Sequence, residues 1–183
     1  MNGNLHDDLP AGQEWVQVTK GEYLLRAGER SRYSFHVQKG LLRAFTVDEK
    51  GKEHVYMFAP EGWIVGDVAA HVFDRVAELN VIANEDSEVI KVMTPSMAEN
   101  EPNDDAMSAL PPEEIIKLAR RVGRLQDRIN MLLSASAAER YEHFLEMYPE
   151  ISHRVPLKQI ASYLGMTPEA LSKVRRERVQ SKS

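Results

Sequence analysis

Residues 155–176 admit very few backbone arrangements. Ile160, Ala161 and Leu164 fall on one face at the 3.6-residue period, which predicts a first short helix. Ala161 is small where two helices must approach closely. Gly165 can take positive φ at little cost and so permits a sharp turn. Thr167 suits a helix N-cap, and Pro168 suits the first helical position, where a missing N–H costs nothing. Glu169 then sits near the positive end of the second helix. Leu171 and Val174 are placed to pack back on the first helix, leaving Ser172, Lys173, Arg175 and Arg176 outward. The expected unit is a helix-turn-helix, which lays its second helix in a DNA major groove. The plainer reading is a helix pair with a solvated charged face. Cap, turn, small residue and core spacing together favour the DNA reading.

Charge points the same way. Residues 151–183 carry seven Lys/Arg against Glu169 and Glu177, a formal +5. The whole chain is −5, so residues 1–150 carry −10. A basic end on an acidic body concentrates a phosphate-attracting field at one place.

Composition limits the alternatives. With 183 residues, one or two domains can build real cores. There is no cysteine, which excludes disulfides, thiolate-ligated iron–sulfur clusters and cysteine redox sensing in this chain. No apolar run reaches membrane-spanning length, and residues 1–8 do not open a signal peptide. A cytoplasmic location without membrane partners is the resulting expectation.

The first half predicts β structure at residues 23–26, 34–47, 54–58, 63–65, 77–83 and 87–92, separated by Gly-, Pro-, Asn- and Asp-rich turns. Short strands at this rhythm suggest a sandwich or barrel. Thr94, Pro95 and Ser96 suggest a strand end and a cap, while Pro102 and Pro111 interrupt any long helix there. Beyond them, Ile115, Leu118, Val122, Leu125, Ile129 and Leu132 are spaced 3, 4, 3, 4 and 3, a heptad seam. One reading packs this helix on its own domain. The narrowness of the stripe among Lys117, Arg120, Arg121, Arg124, Asp127 and Arg128 favours a seam between two copies. Ser136 and Glu139 then form a capping-box pattern ahead of a helix carrying Tyr141, Phe144, Leu145 and Tyr148 as core.

This order of parts resembles the cAMP receptor protein/fumarate–nitrate regulator (Crp/Fnr) superfamily of bacterial transcription factors, over roughly residues 15–180. The most specific pieces are residues 134–141, the helix-turn-helix, and Gly66-Asp67 after residues 63–65. The resemblance implies an α+β chain. A jelly-roll-like, cyclic-nucleotide-binding type of β-roll would occupy residues 1–109, a dimerisation helix 110–134, and a winged helix-turn-helix 135–183. It also implies a homodimer on palindromic double-stranded DNA, with RNA polymerase as a further partner. By the same match, Glu169, Ser172 and Lys173 would face base edges, while Thr167, Pro168, Arg175 and Arg176 would position the helix on the backbone.

The implied effector site departs from the family pattern. Cyclic-nucleotide-binding members carry Gly-Glu and, eleven residues later, Arg-Ser or Arg-Thr, so that the guanidinium forks onto the cyclic phosphate. Counting from Gly66-Asp67 lands here on Ala77-Glu78. No arginine stands at the phosphate position, and a carboxylate replaces the hydroxyl. That argues against cyclic nucleotide and against any evident cofactor, and leaves the effector unidentified. Arg75, two residues early, offers a shifted anion site as an alternative. His36, His54 and His71 show no metal-ligand spacing. No nucleophile–base pattern or phosphate-binding Gly loop is present, so catalysis is not expected, and a β-roll metal enzyme is the remote alternative.

Overall fold

The computed structural model describes residues 12–93 and 112–180. The chain divides into two compact units, Met1–Glu101 and Pro102–Ser183.

The first unit is built from β1 (Gln13–Val18), β2 (Tyr23–Leu25), β3 (Tyr33–Lys39), β4 (Leu42–Val47), β5 (Glu53–Ala59), β6 (Ile64–Val65), α1 (Val68–Val72), β7 (Asn80–Ala83) and β8 (Ser87–Met93). Two four-stranded antiparallel sheets form, ordered β1-β8-β3-β6 and β2-β7-β4-β5. Their inner faces share one core. Val18, Phe35, Val37, Val65 and Val89 come from the first sheet, and Leu25, Leu42, Ala44, Val81 and Ala83 from the second. Alternation drives this, because every second side chain of a strand points to the same face. The result is the expected jelly-roll-like β-roll.

The predicted run over 34–47 is two strands. The chain reverses at Gly40, whose φ of 95° is open to glycine, and an added Cβ would collide with Ser87 and Asp86. Strand β1 was not anticipated, because Gln13, Glu14 and Gln17 dilute its apolar pattern. Its pairing with β8, Gln13 to Val92 through Val18 to Ser87, supplies what local sequence lacks. Helix α1 also went unpredicted, since five residues are too few to show a 3.6-residue period. The expected strand over 77–83 begins only at Asn80, because Ala77, Glu78 and Leu79 spend their N–H groups on Glu29 and Asp67.

Arg43 is the exception to an apolar interior. Its guanidinium is buried, donates to Glu53 Oε2 and Asn84 Oδ1 at 2.9 Å each, and lies 4.6 Å over the Phe45 ring. Burial pushes this group below its ordinary pKa, against the opposing pull of Glu53.

The second unit is helical: α2 (Pro112–Ser134), α3 (Ala137–Met147), α4 (Leu157–Tyr163) and α5 (Pro168–Gln180). Its core joins Met131, Tyr141, Phe144, Tyr148, Ile151, Ile160, Ala161, Tyr163, Leu164 and Leu171. The rings of Phe144, Tyr148 and Tyr163 meet at centroid distances of 5.5–5.7 Å in tilted and edge-on pairs, the arrangement that aromatic quadrupoles favour. The aromatic face read as core on residues 141–148 is therefore core. No strand follows β8 among the described residues, so the wing implied by the resemblance has no counterpart there. The readings placed on Thr94, Pro95, Ser96, Pro102 and Pro111 lie outside the described residues. Within those residues, no helix is long and apolar enough to cross a membrane.

Candidate nucleic-acid interface and effector region

The turn between α4 and α5 is a Schellman motif. Met166 N donates to Ala161 O at 3.0 Å and Gly165 N to Ser162 O at 3.2 Å, around Gly165 at φ 63°. Thr167 Oγ1 accepts from Ala170 N at 3.2 Å and so caps α5, with Pro168 as the first helical residue. Leu171 and Val174 face inward. The expected helix-turn-helix is therefore present in backbone, cap and core.

Along α5, Glu169, Lys173, Arg175 and Arg176 are exposed. Lys173 Nζ lies 3.8 Å from Glu177 Oε1, a surface pair that a phosphate or base can displace at little cost. Ser172 is half-buried, and its hydroxyl donates to Pro168 O at 2.8 Å, bending back along its own helix. Arg178, one turn beyond Val174, leaves this set. It pairs with Glu142 on α3 and anchors α5 instead.

Two arginines outside the sequence-derived set hold the motif in place. Arg140 Nη1 donates to Leu164 O at 3.2 Å, Nη2 to Leu132 O at 2.9 Å, and Nε to Ala135 O at 3.0 Å. Arg128 Nη2 donates to Tyr163 O at 3.0 Å, and its guanidinium sits 3.9 Å over the Tyr163 ring. Both guanidiniums thus meet the carbonyl end of α4, where the helix dipole is negative. One residue, Arg140, joins the end of α2 to the helix-turn-helix. Its place in the motif over 134–141 was the sequence signal, but periodicity says nothing about such long-range bonds.

Helix α2 divides its apolar residues. Val122 and Ile129 are 46% and 55% exposed, and Leu133, on the same side, is 80% exposed. Leu125 and Leu132 are half-buried within the unit, with Leu132 Cδ2 only 3.3 Å from where a Cβ on Gly165 would stand. The side chains of Ile115 and Leu118 lie outside the described residues. The predicted seam is therefore split: one edge packs at home, and the other faces out.

The effector region is organised by Asp67. This buried carboxylate caps α1 through Ala70 N at 3.1 Å and accepts from Glu78 N at 2.8 Å and Leu79 N at 3.2 Å. Gly66 and Ala77 are buried beside it. Glu78 is exposed and pairs with Arg75 at 3.1 Å. Gly66, Asp67, Ala77 and Glu78 thus come together as predicted. Asp67's carboxylate, however, meets three backbone N–H groups, and Arg75 meets a carboxylate. His54 Nε2 lies 2.9 Å from Asp48 Oδ2, His36 Nδ1 lies 3.1 Å from Gln38 Nε2, and His71 is buried against α1. Among the described residues no group of three or more His, Asp or Glu could hold a metal ion.

Residues 15–99 match the cyclic nucleotide-binding domain family. Across 178 residues the chain is 25% identical to the fumarate and nitrate reduction regulatory protein of Yersinia pestis, covering 86% of this chain and 65% of that protein. The chain thus spans just under two thirds of that relative's length. The solved structure of FixK2 from Bradyrhizobium japonicum superposes with a TM-score of 0.70 at 19% identity, covering 93% of this chain and 86% of its own. A CRP/FNR-family transcriptional regulator from Thermus thermophilus gives 0.67 at 19% identity, covering 92% and 87%. These structural likenesses carry the fold.

Proposed function

We propose that this chain, which belongs to the Crp/Fnr superfamily, is a DNA-binding transcriptional regulator that reads a two-fold symmetric operator as a homodimer. The observation that carries the reading is the helix-turn-helix: a capped, Schellman-terminated pair whose second helix exposes Glu169, Lys173, Arg175 and Arg176. Two copies pair along the outward edge of α2, through Val122, Ile129 and Leu133. That pairing sets the two recognition helices about one DNA turn, roughly 34 Å, apart.

Each residue then has a chemical role. Glu169 accepts from a cytosine amine, and Lys173 donates to guanine, each contributing about 1–3 kcal/mol of discrimination. Ser172 joins them by releasing its bond to Pro168 O. Arg175, Arg176 and the Thr167–Pro168 helix start meet phosphates and fix the register. Arg128 and Arg140 position α4 and α5 against α2, so the spacing of the two reading heads follows the α2 pair. The β-roll acts as the sensory unit. With Ala77 where relatives place the phosphate arginine, and with Asp67 committed to backbone N–H groups, its effector is not a cyclic nucleotide held through that cassette. No catalytic role is assigned.

The decisive experiment is selection of bound sites from a random DNA pool, followed by gel shifts on the selected site. A palindromic product supports dimeric reading. Lys173→Ala with Arg175→Ala is expected to weaken binding at least tenfold, flatten its salt dependence by about one unit for the lost phosphate contact, and leave the dimer intact. Unchanged DNA affinity in that variant would sink the reading.

A further inference from the structure

We propose that the β-roll unit binds a small organic anion in a cleft between the loop at residues 30–33 and the end of α1, separate from the phosphate-cassette position at residue 77. The cleft has a volume of about 510 Å³ and is lined by Arg30, Arg32, Tyr33, His71, Asp74 and Arg75, among others. Residues 1–101 hold seventeen Asp/Glu and ten Lys/Arg, a formal charge of −7. Against that background, three of the five arginines there (Arg26, Arg30, Arg32, Arg43 and Arg75) line this one cleft. With Asp74 as the single lining carboxylate among the described residues, the wall carries a formal +2. Such a concentration of guanidiniums around a concave surface offers forked donors to an oxyanion.

The pairs these arginines already make do not close the site. Arg30 Nη1 lies 3.0 Å from Asp74 Oδ1 and donates to Asp74 O at 2.8 Å, with both side chains about half or more exposed. Arg75 meets Glu78 in a pair of similar exposure. Surface pairs of this kind contribute about 0–1 kcal/mol, so a doubly charged anion with bidentate geometry displaces them. The floor differs in character from the rim. His71 and Ala70 are buried, Tyr33 is half-buried with Lys91 4.0 Å from its ring, and Met93 closes one side. A cationic rim over an aromatic and apolar floor suits a ligand with a phosphate or paired carboxylates on an apolar body. Asp74 occupies the left-handed region at φ 45°, uncommon for a residue with a side chain, and this conformation presents its carboxylate and carbonyl to Arg30.

The test uses the full chain without DNA, so its outcome is independent of the DNA-binding reading. Calorimetric titrations with inorganic phosphate, phenyl phosphate and phthalate separate charge alone, phosphate on a ring, and paired carboxylates on a ring. Saturable one-site binding of phenyl phosphate or phthalate is expected, tighter than that of inorganic phosphate. Arg30→Gln with Arg32→Gln is expected to weaken it at least tenfold, as is Arg75→Gln alone, while Arg26→Gln leaves it unchanged. Thermal melts of each variant report folding, and Arg75→Gln, in a different loop, carries the test if the double variant unfolds. No saturable heat at millimolar probe, or equal binding in the arginine variants and the parent, would overturn the site. Equal affinity for inorganic phosphate and phenyl phosphate would overturn its organic character.

Discussion

Gly165 shows how much one residue can hold. Its φ of 63° is the turn of the Schellman motif, and the space beside its Cα is taken by Leu132 Cδ2 and Arg140 Nη1. Alanine there meets both the left-handed backbone cost of about 1–2 kcal/mol and a tight contact. Gly165→Ala is therefore expected to destabilise the helical unit by about that amount or more, read as a lower urea midpoint at unchanged slope. The glycine and its turn were legible in sequence, because the residue type itself reports the backbone need. Its neighbours were not. Leu132 lies thirty-three positions away, and nothing in the local spelling of residues 160–168 names it. Asp67 makes the same point. Its position after 63–65 marked it as a candidate ligand group, yet its carboxylate holds Ala70, Glu78 and Leu79.

At the scale of elements, α3 is the clearest case of sequence specifying structure. Ser136 Oγ accepts from Glu139 N at 3.3 Å, and Glu139 Oε2 accepts from Ser136 N at 2.7 Å, the reciprocal capping box. Ser136→Ala is expected to cost about 1 kcal/mol of stability in chemical denaturation. The bond from Ser136 N holds the Glu139 carboxyl below the usual carboxylate range. A carboxyl lowered on folding stabilises the native state above its unfolded pKa, and that contribution is lost as pH falls through the lowered value. The melting-temperature gap between the parent and Glu139→Gln should accordingly be full at neutral pH and shrink toward zero in acid. Helix α2 was less transparent. Its heptad pattern announced a helix with an apolar stripe, but a stripe does not say which edge a neighbouring helix covers. Packing assigned Leu125 and Leu132 inward and left Val122, Ile129 and Leu133 out.

For the molecule as a whole, the outward edge of α2 decides oligomeric state. An 80% exposed Leu133 in line with Val122 and Ile129 is an unsatisfied apolar strip on a helix roughly 35 Å long. Val122→Glu with Ile129→Glu places like charges face to face in a symmetric pair and is expected to give monomers in sedimentation velocity. Because binding two half-sites needs two heads, operator affinity should fall with the dimer, while a single half-site is affected far less. The β-roll was predicted as a class and in most of its strands, since alternation and turn chemistry are local. Its sheet order was not. Strand β1, polar at alternate positions, exists by pairing with β8, and residues 77–79 leave the strand for Asp67 and Glu29.

The sequence by itself determined the helix-turn-helix, the capping box, the heptad helix and the basic tail, because each rests on side chains within a few residues of one another. The tertiary structure alone decided which apolar edge of α2 stays exposed. It also set Arg128 and Arg140 on the end of α4, and gathered Arg30, Arg32 and Arg75 around one cleft. The physical reason is range. Propensity, capping and periodicity act along the chain, whereas a guanidinium's partner or a cleft's wall depends on segments that meet only when the core closes.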